Sequence, residues 1–182
     1  MMGNGKKNPM KDSKELGAAS GMNPDQKPHK ESRSQVPVNT NNIGPEPAFL
    51  KPGADYVSVA EDRIKNLMTD NRSNPFGNLT TSKIRNILTI VNEIKSEVDR
   101  KDEILSDRVV DRIRHIKVRL AYEAGREKDS SDRVKKIKEF IETAELITAI
   151  DHIGHSSEKF LRYCDYLEAL VAYHRFYGGK DK

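Results

Sequence analysis

Seven of the eight prolines in this chain fall before residue 55: Pro9, Pro24, Pro28, Pro37, Pro45, Pro47 and Pro52. A proline inside a helix removes a backbone donor and clashes with the preceding turn, at a cost of ~3 kcal/mol. Proline at this density disfavours regular structure in residues 1–54. Long helices are free to form in residues 55–182, where Pro75 stands alone. Asn, Ser, Gly and Lys fill most of the rest of the first segment, which holds too little apolar surface to offset the entropy of ordering. Residues 1–54 are predicted to be a disordered arm, a linker or a weak recruiting segment. Its one apolar cluster, Ala48-Phe49-Leu50, is the part able to dock.

From Asp55 onward the apolar residues recur at helical spacing. Ser58 and Glu61 form a capping box, and Val57, Ala60, Ile64 and Leu67 share one face of a first helix over about 58–69. Asn74-Pro75-Phe76-Gly77 reads as a loop. A second helix over about 81–98, capped by Thr80 or Thr81, carries the stripe Ile84, Ile87, Leu88, Val91, Ile94 and Val98. A third, over about 107–124, aligns Val109, Ile113, Ile116, Leu120 and Ala124, with Gly125 as its stop. A fourth starts near Ser130 or Ser131, aligns Val134, Ile137, Ile141, Ala144 and Ile147, and runs to Gly154. A fifth starts at Ser156 or Ser157, buries Phe160, Cys164, Leu167 and Val171, and ends at Gly178-Gly179. No strand pattern interrupts them. The expected fold is all-α: a compact five-helix bundle over residues 55–182.

Charged residues make up 33% of the chain and hydrophobic ones 35%, the balance of a soluble protein. No apolar run approaches the ~20 residues of a membrane-spanning helix. The lone cysteine, Cys164, has no internal disulfide partner, which fits a reducing cytoplasm. Net charge is only +4, but it is unevenly spread. Residues 107–138 hold eleven basic and six acidic side chains, and residues 139–182 hold five and eight. A basic middle and an acidic end suit an anionic partner on one face and a protein neighbour on another. Ordinary solvated helix faces give the same counts, so charge alone leaves both readings open.

The third helix is the better candidate for an anion-binding surface. Arg108, Arg112, His115, Arg119, Tyr122 and Arg126 are spaced four, three, four, three and four apart, which keeps them within about 40° of one line. Such a ridge could track a phosphate backbone and stack a base on its one ring. It could equally be long arginine stems covering the edge of the apolar stripe. The second helix adds Lys83 and Arg85 in its first turn, where cations oppose the helix dipole by about 0.3–1 kcal/mol each. An anion held there by the N–H groups, the hydroxyls of Thr80 to Ser82 and the two cations would remove that penalty. Catalysis finds little support. His152 and His155 lack further ligands at a recognised zinc spacing, and Cys164 and His174 fall on an apolar face. The acid pairs Glu142 with Glu145 and Asp165 with Glu168 are common on helix surfaces. No catalytic residue, metal or cofactor is expected.

Four segments carry a family resemblance: LTTSKIRN at 79–86, KVRLAYEAGRE at 117–127, KEFIETAELI at 138–147 and YLEALVAYHRFYGG at 166–179. Through them, residues from about Tyr56 to Gly179 resemble the small helical subunit of type III-A CRISPR (Csm) interference complexes. Residues 1–54 fall outside the pattern, and the stretch from Asp99 to Asp107 matches it poorly. The resemblance implies a non-catalytic subunit in antiviral defence, stacked in several copies beside a filament of RNA-cleaving backbone subunits, with the large signalling subunit in the same assembly. The crRNA and target RNA would lie in the groove between the filaments, contacted without sequence reading. Carried over position by position, the RNA-binding residues would be Lys83, Arg85, Lys117, Arg126, Lys138 and Arg175, with Tyr122 inside the motif. The ridge adds Arg119. Lys117 lies about 180° from the ridge, so the two arguments agree on Arg126 and differ on Lys117. The competing reading is a protein scaffold of the complex without significant RNA contact, its acidic last helix serving as the interface.

Overall fold

Four of the helices among the described residues begin where a side-chain oxygen takes up an N–H group that the first turn leaves without a partner. The computed structural model describes residues 43–99, 101–126 and 136–181. Asp55 accepts from the N–H groups of Val57 and Ser58 and opens α1 (Tyr56–Asn66). Thr80 accepts from Lys83 N and opens α2 (Thr81–Lys95). Ser106 accepts from Val109 N at the start of α3 (Asp107–Arg126). The helices α4 (Lys136–Thr143) and α5 (Leu146–Ile153) follow, and Ser156 caps α6 (Ser157–Phe176) by accepting from Lys159 N. No β-strand occurs among the described residues; one isolated antiparallel bridge pairs Ile104 with Ser156.

The all-α class holds, but the described residues form six helices where five were expected. The anticipated fourth helix breaks at Glu145, whose backbone is left-handed at φ 54°. Partners remote in sequence hold the break. Arg63 of α1 donates to the Glu145 carboxylate at 2.5 Å, and the Tyr166 hydroxyl donates to the Ala144 carbonyl at 3.3 Å. The two halves thereby bury separate apolar sets, Ile137, Phe140 and Ile141 before the break and Leu146, Ala149, Ile150 and Ile153 after it. The first helix also begins earlier than its capping box implied. The Asp55 carboxylate reaches two N–H groups and takes the capping role from Ser58, which leaves Val57 exposed in the first turn. Helix α2 stops at Lys95, short of 98, while α3 runs on through Gly125 to Arg126. The expected cap at Ser130 or Ser131 lies outside the described residues.

Side chains far apart in sequence fix the helix directions. Thr81 meets His174 near one end of α6, and Lys95 meets Asp165 and Glu168 nearer the other, so α2 runs antiparallel to α6. Lys51 and Phe49 lie beside Arg162 and Tyr166, and Glu61 lies beside Tyr177, so α1 runs parallel to it. The centre of α6 is accordingly buried on several sides, with Phe160, Tyr163, Cys164, Tyr166, Leu167 and Leu170 all inaccessible.

Residues 43–54, counted with the arm on composition, pack against this bundle. Ala48–Leu50 form a short 3-10 helix that buries Phe49 and Leu50. The Phe49 ring stacks on Tyr166 with centroids 3.7 Å apart. Lys159 pairs with Glu46 at 2.7 Å, and Arg162 donates to the Lys51 carbonyl at 2.6 Å. One apolar cluster is enough to dock a proline-rich segment when an aromatic pocket receives it. The rest of the predicted arm, residues 1–42, lies outside the described residues. Because Phe49 is part of the core, Phe49→Ala is expected to cost about 3–5 kcal/mol in urea unfolding. A loss below ~0.5 kcal/mol would show that this segment is only laid on the surface.

Candidate nucleic-acid interface

The last turn of α6 is built by the closing motif of the sequence. Gly178 adopts φ 93°, its N–H bonds Arg175 O at 3.2 Å, and Gly179 N–H bonds His174 O at 2.8 Å. This pair of reversed bonds is a Schellman ending, which needs glycine at the left-handed position. Gly179 is required for a different reason. A Cβ there would lie 2.2 Å from the His174 ring and 2.6 Å from its carbonyl oxygen. Beneath it, His174 is completely buried, as its place on the apolar face implied. Its Nε2 lies 3.2 Å from Leu79 O, and its Nδ1 lies 3.2 Å from Thr81 Oγ1. A carbonyl only accepts, so Nε2 carries the proton and the Thr81 hydroxyl donates to Nδ1. The imidazole thus joins the end of α6 to the first turn of α2, and burial holds its pKa below the ordinary value.

That joint positions Lys83, Arg85 and Arg175 at the same end of the bundle, but it divides the phosphate seat expected at the start of α2. Thr81 N–H is taken by Lys180 O at 2.8 Å, and the Ser82 hydroxyl donates to Asp181 O at 2.5 Å. Lys83 donates from Nζ to Asn78 O at 2.8 Å. Arg85 and Arg175 both reach the Asp181 carboxylate, at 3.5 and 3.2 Å. Projected down α2, Lys83 and Arg85 are about 200° apart. Lys83 falls on the side of Glu97, which pairs with Arg112 of α3. Arg85 falls nearer the side of Lys95, which pairs with α6. Arg85 therefore belongs with Arg175, and Lys83 leaves α2 on another side. Asp181, the residue that joins the two arginines, was not among the sequence-derived candidates. It lies beyond the glycine pair, and only the folded Schellman turn brings it back to α2.

The ridge on α3 is present as the spacing implied. Arg108, His115, Arg119, Tyr122 and Arg126 are exposed, and Arg112 is half-buried against Glu97. The continuation of α3 to Arg126 makes that residue a full member. It pairs with Glu123 at 2.9 Å and sits 5.9 Å from the centroid of the Tyr122 ring, which is 59% exposed. Most cations elsewhere on the bundle are compensated: Arg63, Lys65, Lys95, Lys136, Lys159 and Arg162 all lie in ion pairs. Arg108 and Arg119 have no ion-pair partner among the described residues. Lys117, on the opposite edge of the apolar stripe, is a strut from α3 to α5, with its Nζ 2.7 and 2.9 Å from the two Asp151 oxygens. Lys138 is exposed on α4 and lies 3.6 Å from Glu142. The structure thus sets Arg119, Tyr122 and Arg126 along α3, joins Arg85 and Arg175 through Asp181, holds Lys83 against Asn78 O, and leaves Lys117 and Lys138 in separate pairs.

The residues weighed for catalysis have structural partners. Cys164 is inaccessible, and burial pushes its thiol up to about 12, so it is no thiolate near neutral pH. His152 lies 2.8 Å from Gly44 O, and His155 lies 3.1 Å from Asp107. Asp165 and Glu168 clamp Lys95, and Glu145 holds Arg63.

Comparison with known proteins identifies a family. Residues 55–180 match a family model described as Csm2 Type III-A. The chain is 38% identical over 127 residues to the CRISPR system Cms protein Csm2 of Streptococcus thermophilus, covering 70% of this chain and 94% of that protein. It is 40% identical over 105 residues to the protein of that name from Enterococcus italicus, covering 56% of this chain and 70% of the relative. Identity to the Mycobacterium tuberculosis counterpart is 33% over 129 residues, covering 70% and 95%.

The buried imidazole makes stability depend on pH. With its folded pKa depressed, His174 is neutral in the fold, and the unfolded chain binds the extra proton below ~6.5. Its contribution is fully present above that value and is lost as pH falls through the unfolded pKa toward the lower folded one. The urea midpoint is expected to fall between pH 7.5 and pH 5, and by less in His174→Gln. An equal fall in both would remove His174 from the cause. Gly179→Ala is expected to lower the midpoint at both pH values.

Proposed function

This chain belongs to the Csm2 type III-A family, the small subunits of CRISPR type III-A complexes, and from that premise we propose that it is a non-catalytic RNA-binding subunit. It stacks in several copies along the paired crRNA and target RNA, beside the RNA-cleaving backbone subunits and the large signalling subunit, in cytoplasmic antiviral defence. One observation carries the reading. Arg108 and Arg119 stand exposed on a single line of α3, without ion-pair partners among the described residues, with Tyr122 and Arg126 continuing that line. Two aligned cations about 17 Å apart along the helix, with no ion-pair partner among the described residues, suit the repeating charge of a phosphate backbone.

The mechanism is electrostatic. Arg119, Arg126 and Lys83 neutralise phosphates and release their condensed counterions, and Tyr122 offers a face on which a base can stack. None of these groups reads a base edge, so sequence selectivity rests on pairing between crRNA and target. Lys117 contributes to the fold through Asp151, and its half-buried position leaves the phosphate contacts to the ridge.

The scaffold reading keeps one observation in its favour. Phe176, at 77% exposed, and Ile104, at 75%, are large apolar side chains open to a protein neighbour. They lie at opposite ends of α6, where successive copies could meet, so they are compatible with RNA binding along α3.

The test is a salt series on binding to single-stranded RNA. Lys83→Ala with Arg119→Ala and Arg126→Ala is expected to weaken binding and to reduce the slope of log K against log salt by about two, at roughly 0.7 per lost phosphate contact. Lys117→Ala is expected to leave the slope unchanged while lowering stability. Unaltered affinity and slope in the triple variant, with helical content intact, would overturn the proposal.

A further inference from the structure

We propose that Arg85 and Arg175 form a second phosphate site, separate from the α3 ridge and masked in the free chain by the carboxylate of Asp181. The inference rests on the RNA-binding reading and adds a regulatory contact to it. Its basis is a bridged cluster. Arg85 Nη1 lies 3.5 Å from Asp181 Oδ1, and Arg175 Nη1 lies 3.2 Å from Asp181 Oδ2, so the two oxygens of one carboxylate are divided between two guanidinium groups. Two arginines from different helices converging on one anion is the arrangement that also receives a phosphodiester, whose two free oxygens can be divided in the same way.

The segment bearing Asp181 is held by few bonds. Its backbone is fixed by Thr81 N–H to Lys180 O and by the Ser82 hydroxyl to Asp181 O, and Arg175 also donates to Gly179 O at 3.1 Å. The first of these consumes a donor of the α2 N-terminus, so the site is carried by the guanidinium groups and not by the helix end. Arg85, Arg175 and Asp181 are each about half exposed. Exposed ion pairs are weak, ~0–1 kcal/mol, and a phosphate of the same charge can displace the carboxylate without unfolding anything. Because Gly179 is wedged against His174, the chain can swing aside only beyond it, and Lys180 and Asp181 are the part that moves. Asp181 thus lowers affinity for loose anions and yields to RNA already held by the α3 ridge.

The experiment measures single-stranded RNA affinity of the full chain by fluorescence anisotropy. Asp181→Asn keeps the backbone bonds and removes the charge, and it is expected to tighten binding roughly two- to five-fold, the range an exposed ion pair supplies. The gain is expected to vanish when Arg85→Ala and Arg175→Ala are also present, and Asp102→Asn, in the loop before α3, is expected to give a smaller gain. An unchanged affinity in Asp181→Asn, or an equal gain from Asp102→Asn, overturns the mask. If the ridge variant still loses affinity, the RNA-binding reading survives that failure. Pyrophosphate titration followed by the side-chain Nε–H resonances of Arg85 and Arg175 tests the site without RNA. Those signals are expected to shift at lower pyrophosphate in Asp181→Asn, and identical curves would reject the proposal whatever RNA does.

Discussion

The placement of Lys83, Arg85 and Arg175 depends on one buried imidazole. His174 has no access to solvent and bonds to two groups at the start of α2, Leu79 O and Thr81 Oγ1. A buried polar group must be satisfied, so this ring accepts only one arrangement of the two helix ends. Everything that presents charge at this end follows from it: the turn of α2 that carries Lys83 and Arg85, the Schellman ending that returns the chain, and the glycine that lets the chain pass within contact of the ring. The motif YHRFYGG is therefore a joint. The histidine, the two glycines and Arg175 each do a different task within one turn.

A second constraint comes from how the bundle spends its charges. Pairs such as Arg63 with Glu145 and Lys95 with Asp165 and Glu168 connect helices and sit partly buried, where they set geometry as much as stability. Lys117 with Asp151 does the same for α3 and α5. The outer line of α3 is used differently, since Arg108 and Arg119 form no such links among the described residues. On that line Arg112 is tied to Glu97 and Arg126 to Glu123, so the open cations alternate with paired ones. That alternation suits a subunit that must keep its fold while exchanging an anionic partner.

Much of this was legible in the sequence, for a clear physical reason. Apolar periodicity and local caps depend on residues within one or two turns, so the stripes of α2, α3 and α6, the caps Thr80 and Ser156 and the buried role of His174 could all be read directly. The α3 ridge is likewise a matter of spacing. What could not be read was decided by distant partners. The break at Glu145 is held by Arg63, 82 residues away, and Phe49 is ordered by Tyr166. Asp181 meets Arg85 across 96 residues. Asp55 replaces Ser58 as the α1 cap because its carboxylate accepts from Val57 and Ser58 N–H and so starts the helix ahead of Ser58, which a motif match does not weigh. Family membership was legible through the closing segment because that segment's unusual composition serves a single buried joint.

The central claim is that the exposed line of α3 lies against nucleic acid in the assembled complex. Ultraviolet crosslinking of RNA within the intact assembly, read out by mass spectrometry of the peptides, tests it most directly. The account predicts nucleotide adducts on the α3 peptides that contain Arg119, Tyr122 and Arg126. Adducts confined to the other subunits, with this chain unmodified in a complex that holds its RNA, would contradict it.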